Sequence, residues 1–245
     1  MRRSVFSGLF ERAFEVYLKN FKLLAFVSAL TYLPQTLVTA FFLESEAFDI
    51  TSFSFENSPP VIYAPLIAMI IFRPLFISAS TAITFKHLSG QKPKLADALD
   101  ASLMKWGKLL LTYLFYMTAI FATLPLIVVP IYLSVSFAFA VRVTAVSDDW
   151  GPRALFVSRG VTKGRWFSAM LLFVLAHISF FFISQAIAVP LSVLGVAFNE
   201  SVIMAPVRII AAIAVAVVTT YFEVVIAIYF LRNYETHPDG GGYFE

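Results

Sequence analysis

A chain of 245 residues that is 60% hydrophobic and only 13% charged, with a mean hydropathy of +0.83, lies outside the range of water-soluble domains, which are roughly half apolar and a quarter charged. Its net charge of +3 is spread beside apolar runs and forms no long basic stretch, which points to anionic lipid headgroups and away from nucleic acid. The absence of cysteine excludes disulfides, thiolate metal sites and cysteine nucleophiles.

In chain order, the N-terminus does not read as a cleavable signal peptide. Arg2 and Arg3 are followed by Glu11, Arg12, Glu15, Lys19 and Lys22 before any apolar core begins, so the first span is expected to be retained. From Ser7 to Lys22, Phe6, Phe10, Ala13, Phe14, Tyr17 and Phe21 recur at helical spacing opposite those charges. This predicts an amphipathic helix, lying either in the headgroup plane or against the protein's own cytoplasmic side. Residues 23–43 carry no charge over the roughly 20 positions a bilayer core requires and form the first expected span, with Pro34 as a kink. The loop to Pro60 holds Glu44, Glu46, Asp49 and Glu56 and no basic residue. Residues 61–85 form the second span, interrupted by Pro65 and by Arg73-Pro74. The small residues Ser78, Ala79, Ser80 and Ala82 follow, where a neighbouring helix can approach closely.

A second amphipathic helix is predicted over Pro93–Trp106, with Leu95, Leu99, Leu103 and Trp106 as its apolar stripe. The run from Leu109 to Val146, broken only by Pro125, Pro130 and Arg142, would be about 57 Å long as one helix, against a hydrocarbon core of about 30 Å. It therefore divides into spans 109–127 and 130–147, joined by an apolar turn whose backbone must reach the headgroups or be covered by protein. The basic, Gly- and Pro-punctuated island Asp148–Trp166 contains a third surface helix, Pro152–Lys163, with Asp148 and Asp149 near its N-terminus. Spans five and six are expected at 167–189 and 203–231. The short Gly-rich tail after them cannot fold alone.

Orientation follows from the eighteen Lys and Arg residues. Five lie up to Lys22, five from Lys86 to Lys108, five from Arg142 to Arg165, and Arg232 stands after the last span, so that sixteen fall on one side of the six spans. The positive-inside rule places both termini in the cytoplasm. Arg12, Lys19, Lys22, Lys105, Lys108, Arg153, Arg159, Lys163 and Arg165 are the candidate contacts for anionic lipid.

Ionisable residues inside spans are candidate functional groups because a charge at the bilayer centre costs a few kcal/mol or more. Counted from the cytoplasmic ends at a 1.5 Å rise, Arg73 lies about 20 Å in, His177 about 17 Å and Glu223 about 14 Å, so the three form a candidate polar cluster. It reads either as a relay within the bundle or as an Arg73–Glu223 pair that holds helices together. Arg208, nearer the outer end, reads as an interface anchor that snorkels to the headgroups. His87 and His237 lie in polar segments without metal-ligand spacing. There is no metalloprotease HExxH, no phosphate-cradling GxxxxGK[ST] and no GxSxG elbow, so neither a catalytic residue nor a cofactor is expected.

Three groups of residues carry a family resemblance: Phe14, Tyr17, Asn20 and Phe21; Ala154, Leu155, Ser158, Thr162, Gly164, Arg165 and Trp166; and Tyr229, Leu231, Arg232 and Glu235. Across nearly its whole length the chain resembles the membrane domain that precedes the catalytic barrel of some bacterial glycerophosphodiester phosphodiesterases, and the stand-alone inner-membrane relatives of that domain. It departs from them at Phe230, where relatives often carry Asp. The resemblance implies an all-α, six-span membrane protein. With thirteen residues after Arg232, no phosphodiesterase activity is expected to accompany it. The function expected is non-enzymatic, in lipid or envelope homeostasis or as a permease-like component. The alternative is an accessory or assembly subunit packed against a larger membrane complex. The expected partners are membrane lipids with anionic headgroups, and other membrane proteins or a second copy of the chain.

Overall fold

The structure is a computed structural model that describes residues 8–43, 63–198 and 201–236; the acidic loop 44–60, Asn199, Glu200, His237 and the side chain of Arg208 lie outside the described residues. Among the described residues there is no strand. Ten α-helices follow in order: α1 Leu9–Lys19, α2 Phe21–Leu43, α3 Tyr63–Leu88, α4 Leu95–Met104, α5 Trp106–Thr123, α6 Val128–Ser136, α7 Ala140–Val146, α8 Pro152–Thr162, α9 Trp166–Phe198 and α10 Ser201–Tyr234. Among the described residues, five segments are long and apolar enough to cross a membrane: Ile67–Leu88, Trp106–Leu126, Val128–Val146, Trp166–Ile187 and Ile209–Tyr234. The stretch expected as the first span is α2, a helix of 23 residues whose apolar part runs over Phe21–Pro34.

α10 is the central column, packed against α1, α2, α3, α8 and α9. Its residues Val224 to Leu231 are all buried. Leu9, Ala13 and Val16 of α1 belong to the same core, as does Phe139, whose ring lies 6.0 Å from Tyr229 and 5.5 Å from Phe230. In a bilayer the lipid tails are as apolar as these side chains, so the packing is held by close fit and by polar contacts rather than by escape from water.

α2 and α3 form an antiparallel pair. Asn20 reaches His87 at 2.9 Å at one end, and the rings of Tyr32 and Phe76 lie 5.5 Å apart farther along. Pro74 removes one backbone donor from α3. In the turn before it, Trp106 donates its indole N–H to Ile71 O at 3.3 Å.

α4 turns back along α3. Lys86 meets Asp97 at 2.8 Å and Ser78 meets Ser102 at 2.9 Å, so rising positions on one helix pair with falling positions on the other. The expected stripe holds only in its first half: Leu95 and Leu99 pack against the core beside the buried Ala98 and Ser102, while Leu103 and Trp106 are exposed. Ser78, Ala79 and Ser80 present so little bulk that α4 approaches α3 through small residues and a hydroxyl pair.

The chain reverses after α5 through a short 3-10 turn, Leu124–Leu126, and Ile127, whose φ of 46° is rare for a β-branched residue. The segment expected as one span over 130–147 is two helices, because α6 ends at Ser136 and α7 starts at Ala140. The freed backbone groups are met by α8: Ser158 Oγ accepts from Phe139 N–H at 3.1 Å and donates to the Ser136 carbonyl at 2.9 Å. An interrupted helix in an apolar region requires this kind of repair. α8 is accordingly docked on the bundle, with Leu155, Val157, Ser158, Val161 and Thr162 buried and Arg153, Phe156 and Arg159 exposed.

Candidate functional site

Three acid–base side chains were expected to meet, and the structure arranges them differently. Glu223 on α10 is ion-paired with Arg142 on α7, whose second guanidinium nitrogen donates to Thr81 Oγ1 on α3 at 2.7 Å. Thr81 in turn donates to Ile77 O at 2.6 Å. The Arg142 residue is 2% exposed, so the pair ties three helices together in a buried setting. Desolvating two charges costs as much as their attraction returns, but once buried neither tolerates losing the other.

Arg142 therefore does not belong with the surface charges of the island, where the sequence count placed it. The available signal was local: nothing charged stands between Lys108 and Arg142, or between Arg142 and Asp148.

The expected Arg73–Glu223 bridge is replaced by this arrangement. Arg73 lines a small cleft with Thr31, Tyr32, Met69 and Phe76. Among the described residues no carboxylate forms an ion pair with it. His177 is not part of this region: it is exposed on α9, its Nδ1 donating to its own helix at Phe173 O, 2.7 Å away. Depth along a helix is readable from residue number, but the direction a side chain faces depends on how helices rotate against one another, and that separated His177 from the other two.

The nine candidate lipid contacts divide by their partners. Lys19 is paired with Glu15 at 2.6 Å and Arg153 with Asp149 at 2.6 Å. Lys105 is half-buried and donates to Ser147 O at 2.8 Å, with Asp148 at 3.9 Å; burial lowers the pKa of its ammonium. Arg165 is held by Asn233 and Thr236 at the end of α10. Arg12, Lys22, Lys108, Arg159 and Lys163 are exposed and form no ion pair among the described residues.

Arg159 and Lys163 stand beside a cleft of about 400 Å³, lined also by Tyr132, Phe156, Gly160, Thr162, Gly164 and Trp166. The Trp166 ring stacks on Tyr132 at 5.9 Å and its indole N–H donates to Tyr132 O at 3.3 Å, fixing one wall. Among the described residues no group of three or more His, Asp or Glu side chains is placed to hold a metal ion. No protein-family profile, curated protein or solved structure matches the chain.

Proposed function

We propose that this chain is a six-span, non-enzymatic integral protein of a prokaryotic inner membrane, with both termini cytoplasmic, acting in lipid or envelope homeostasis or as a permease-like component through contact with anionic lipid. The observation that carries this reading is the three-way division of α1. One face, Leu9, Ala13, Val16 and Tyr17, is buried against the bundle. A second, Phe14 and Leu18, continued by Phe21 at the start of α2, is apolar yet 54%, 55% and 43% exposed. The third carries Glu11, Arg12, Glu15 and Lys19, all exposed. A docked helix with an exposed apolar face beside a charged one suits the boundary between acyl chains and headgroups. The resemblance to the phosphodiesterase membrane domain supports the same architecture.

A second reading, an accessory or assembly subunit, is favoured by α9, where Phe167, Leu171, Val174, Ile178 and Phe181 form one exposed stripe. Purification in a mild detergent distinguishes the two. A lipid-handling protein elutes alone and enriched in anionic phospholipid; an accessory subunit elutes with a partner in fixed stoichiometry, and that result would displace the first reading.

A further inference from the structure

We propose that the cleft between α6, the end of α8 and the start of α9 is a binding site for the phosphate of an anionic membrane lipid, with Arg159 and Lys163 as the phosphate ligands and Trp166 and Phe156 flanking the acyl chain. The proposal rests on the reading of this chain as a protein that contacts anionic lipid, and it assigns that contact to one place.

Three features converge there. The cleft is concave and of ligand size, about 400 Å³. Its charge is uncompensated: the lining contains two cations and no carboxylate, and among the described residues neither cation forms an ion pair. Elsewhere in the same island the cations are already engaged, Arg153 by Asp149 and Arg165 by Asn233. Arg159 and Lys163 are also four residues apart on one helix end, the spacing at which like charges repel, so an anion between them relieves a standing repulsion.

The walls add the amphipathic character. The indole of Trp166 is fixed against Tyr132, and Phe156 and Phe167 beside it are 68% and 76% exposed. A charged recess bordered by exposed aromatic rings matches a ligand with a phosphate at one end and hydrocarbon at the other. Gly164, which lines the recess, has a φ of 77° in the left-handed region that favours glycine, and this sets the turn from α8 into α9.

The test uses the full-length chain with Trp106→Phe and Trp150→Phe, which leaves Trp166 as the single tryptophan of the three present. The protein is reconstituted in mixed phosphatidylglycerol–phosphatidylcholine bilayers in which either lipid, in turn, is brominated high on its acyl chain. Brominated phosphatidylglycerol is expected to quench Trp166 in preference to brominated phosphatidylcholine, with an apparent enrichment of roughly thirtyfold for two bases near the surface. Arg159→Gln with Lys163→Gln is expected to abolish the preference, and Arg12→Gln with Lys22→Gln to leave it intact.

Because Trp106 also holds Ile71 O, the same comparison is made by native mass spectrometry of the protein with all tryptophans present, counting retained phosphatidylglycerol. Equal quenching by the two lipids, or an unchanged preference in the Arg159/Lys163 variant, overturns the site while bulk enrichment of anionic lipid still upholds the broader reading. Absence of any anionic-lipid enrichment in the unmodified protein overturns both. Loss of the preference on adding millimolar glycerol 3-phosphate assigns the phosphate to a soluble ester and overturns the lipid source.

Discussion

The strongest demand any single residue makes on this fold is that of Glu223, a carboxylate on an apolar helix that needs a counter-charge wherever α10 is packed. Its presence and approximate depth are legible from the sequence; its partner is not, because Arg73 and Arg142 both stand among apolar residues and only helix rotation chooses between them. Arg142 is the partner, with Thr81 as a third member. Removing one member strands the other, so Arg142→Gln and Glu223→Gln are each expected to destabilise the detergent-solubilised protein by about 3–5 kcal/mol. The double variant should lose less than the sum, with a coupling of roughly 1–3 kcal/mol. An Arg73→Gln and Glu223→Gln cycle serves as the comparison and should come closer to additivity, since the ion pair of Glu223 is with Arg142. Thermal unfolding of the six proteins in one detergent measures this. Equal coupling in the two cycles would contradict the assignment.

At the level of elements, helix periodicity located the segments but not their docking. The stripe of α4 was expected from its leucines, yet a Ser78–Ser102 hydrogen bond and the small residues around it decide which face turns to α3. The interruption of the fourth expected span left no proline or glycine as a signal between Ser136 and Ala140; it is supported from outside by one hydroxyl, that of Ser158. Ser158→Ala is expected to cost about 1–3 kcal/mol by leaving the Phe139 N–H and the Ser136 carbonyl without partners. It should also accelerate amide exchange around residue 139. An unchanged exchange pattern would mean that the break is held by packing alone. The tether between α4 and α3 has a pH dependence of known sign. The hydrogen bond from Lys86 holds the Asp97 carboxyl below its ordinary pKa. Its contribution is therefore present above the unfolded value and lost as pH falls through the lowered folded one. Asp97 is solvent-exposed, so the effect is confined to local opening. Amides of α4 should exchange faster in Asp97→Asn than in the unmodified protein near neutrality, and the two should converge in acid below the folded pKa.

For the whole molecule, composition lies outside the range of water-soluble domains, and the all-helical structure of the described residues, with five long apolar segments among them, agrees with a multi-pass membrane protein. The number of crossings is a finer matter that turns on α2, and the charge count bears on it directly. With Arg142 buried, fifteen Lys and Arg residues remain outside the proposed six spans, where sixteen were counted from sequence, and in that proposed topology they share one side. An even number of crossings places the two termini on the same side, an odd number on opposite sides. Because the chain has no cysteine, single reporters can be introduced at Ser4, Ser52, Ser89 and Gly241 without background. In intact cells, an impermeant thiol reagent is expected to label Ser52→Cys and to spare Ser4→Cys, Ser89→Cys and Gly241→Cys until the membrane is opened. Labelling at Ser89 with protection at Ser52 would invert the orientation and remove the basis for a cytoplasmic lipid site. Protection of one terminus with labelling of the other would establish an odd number of crossings, and α2 would then be an apolar helix that packs on α3 and α10 without passing through the bilayer.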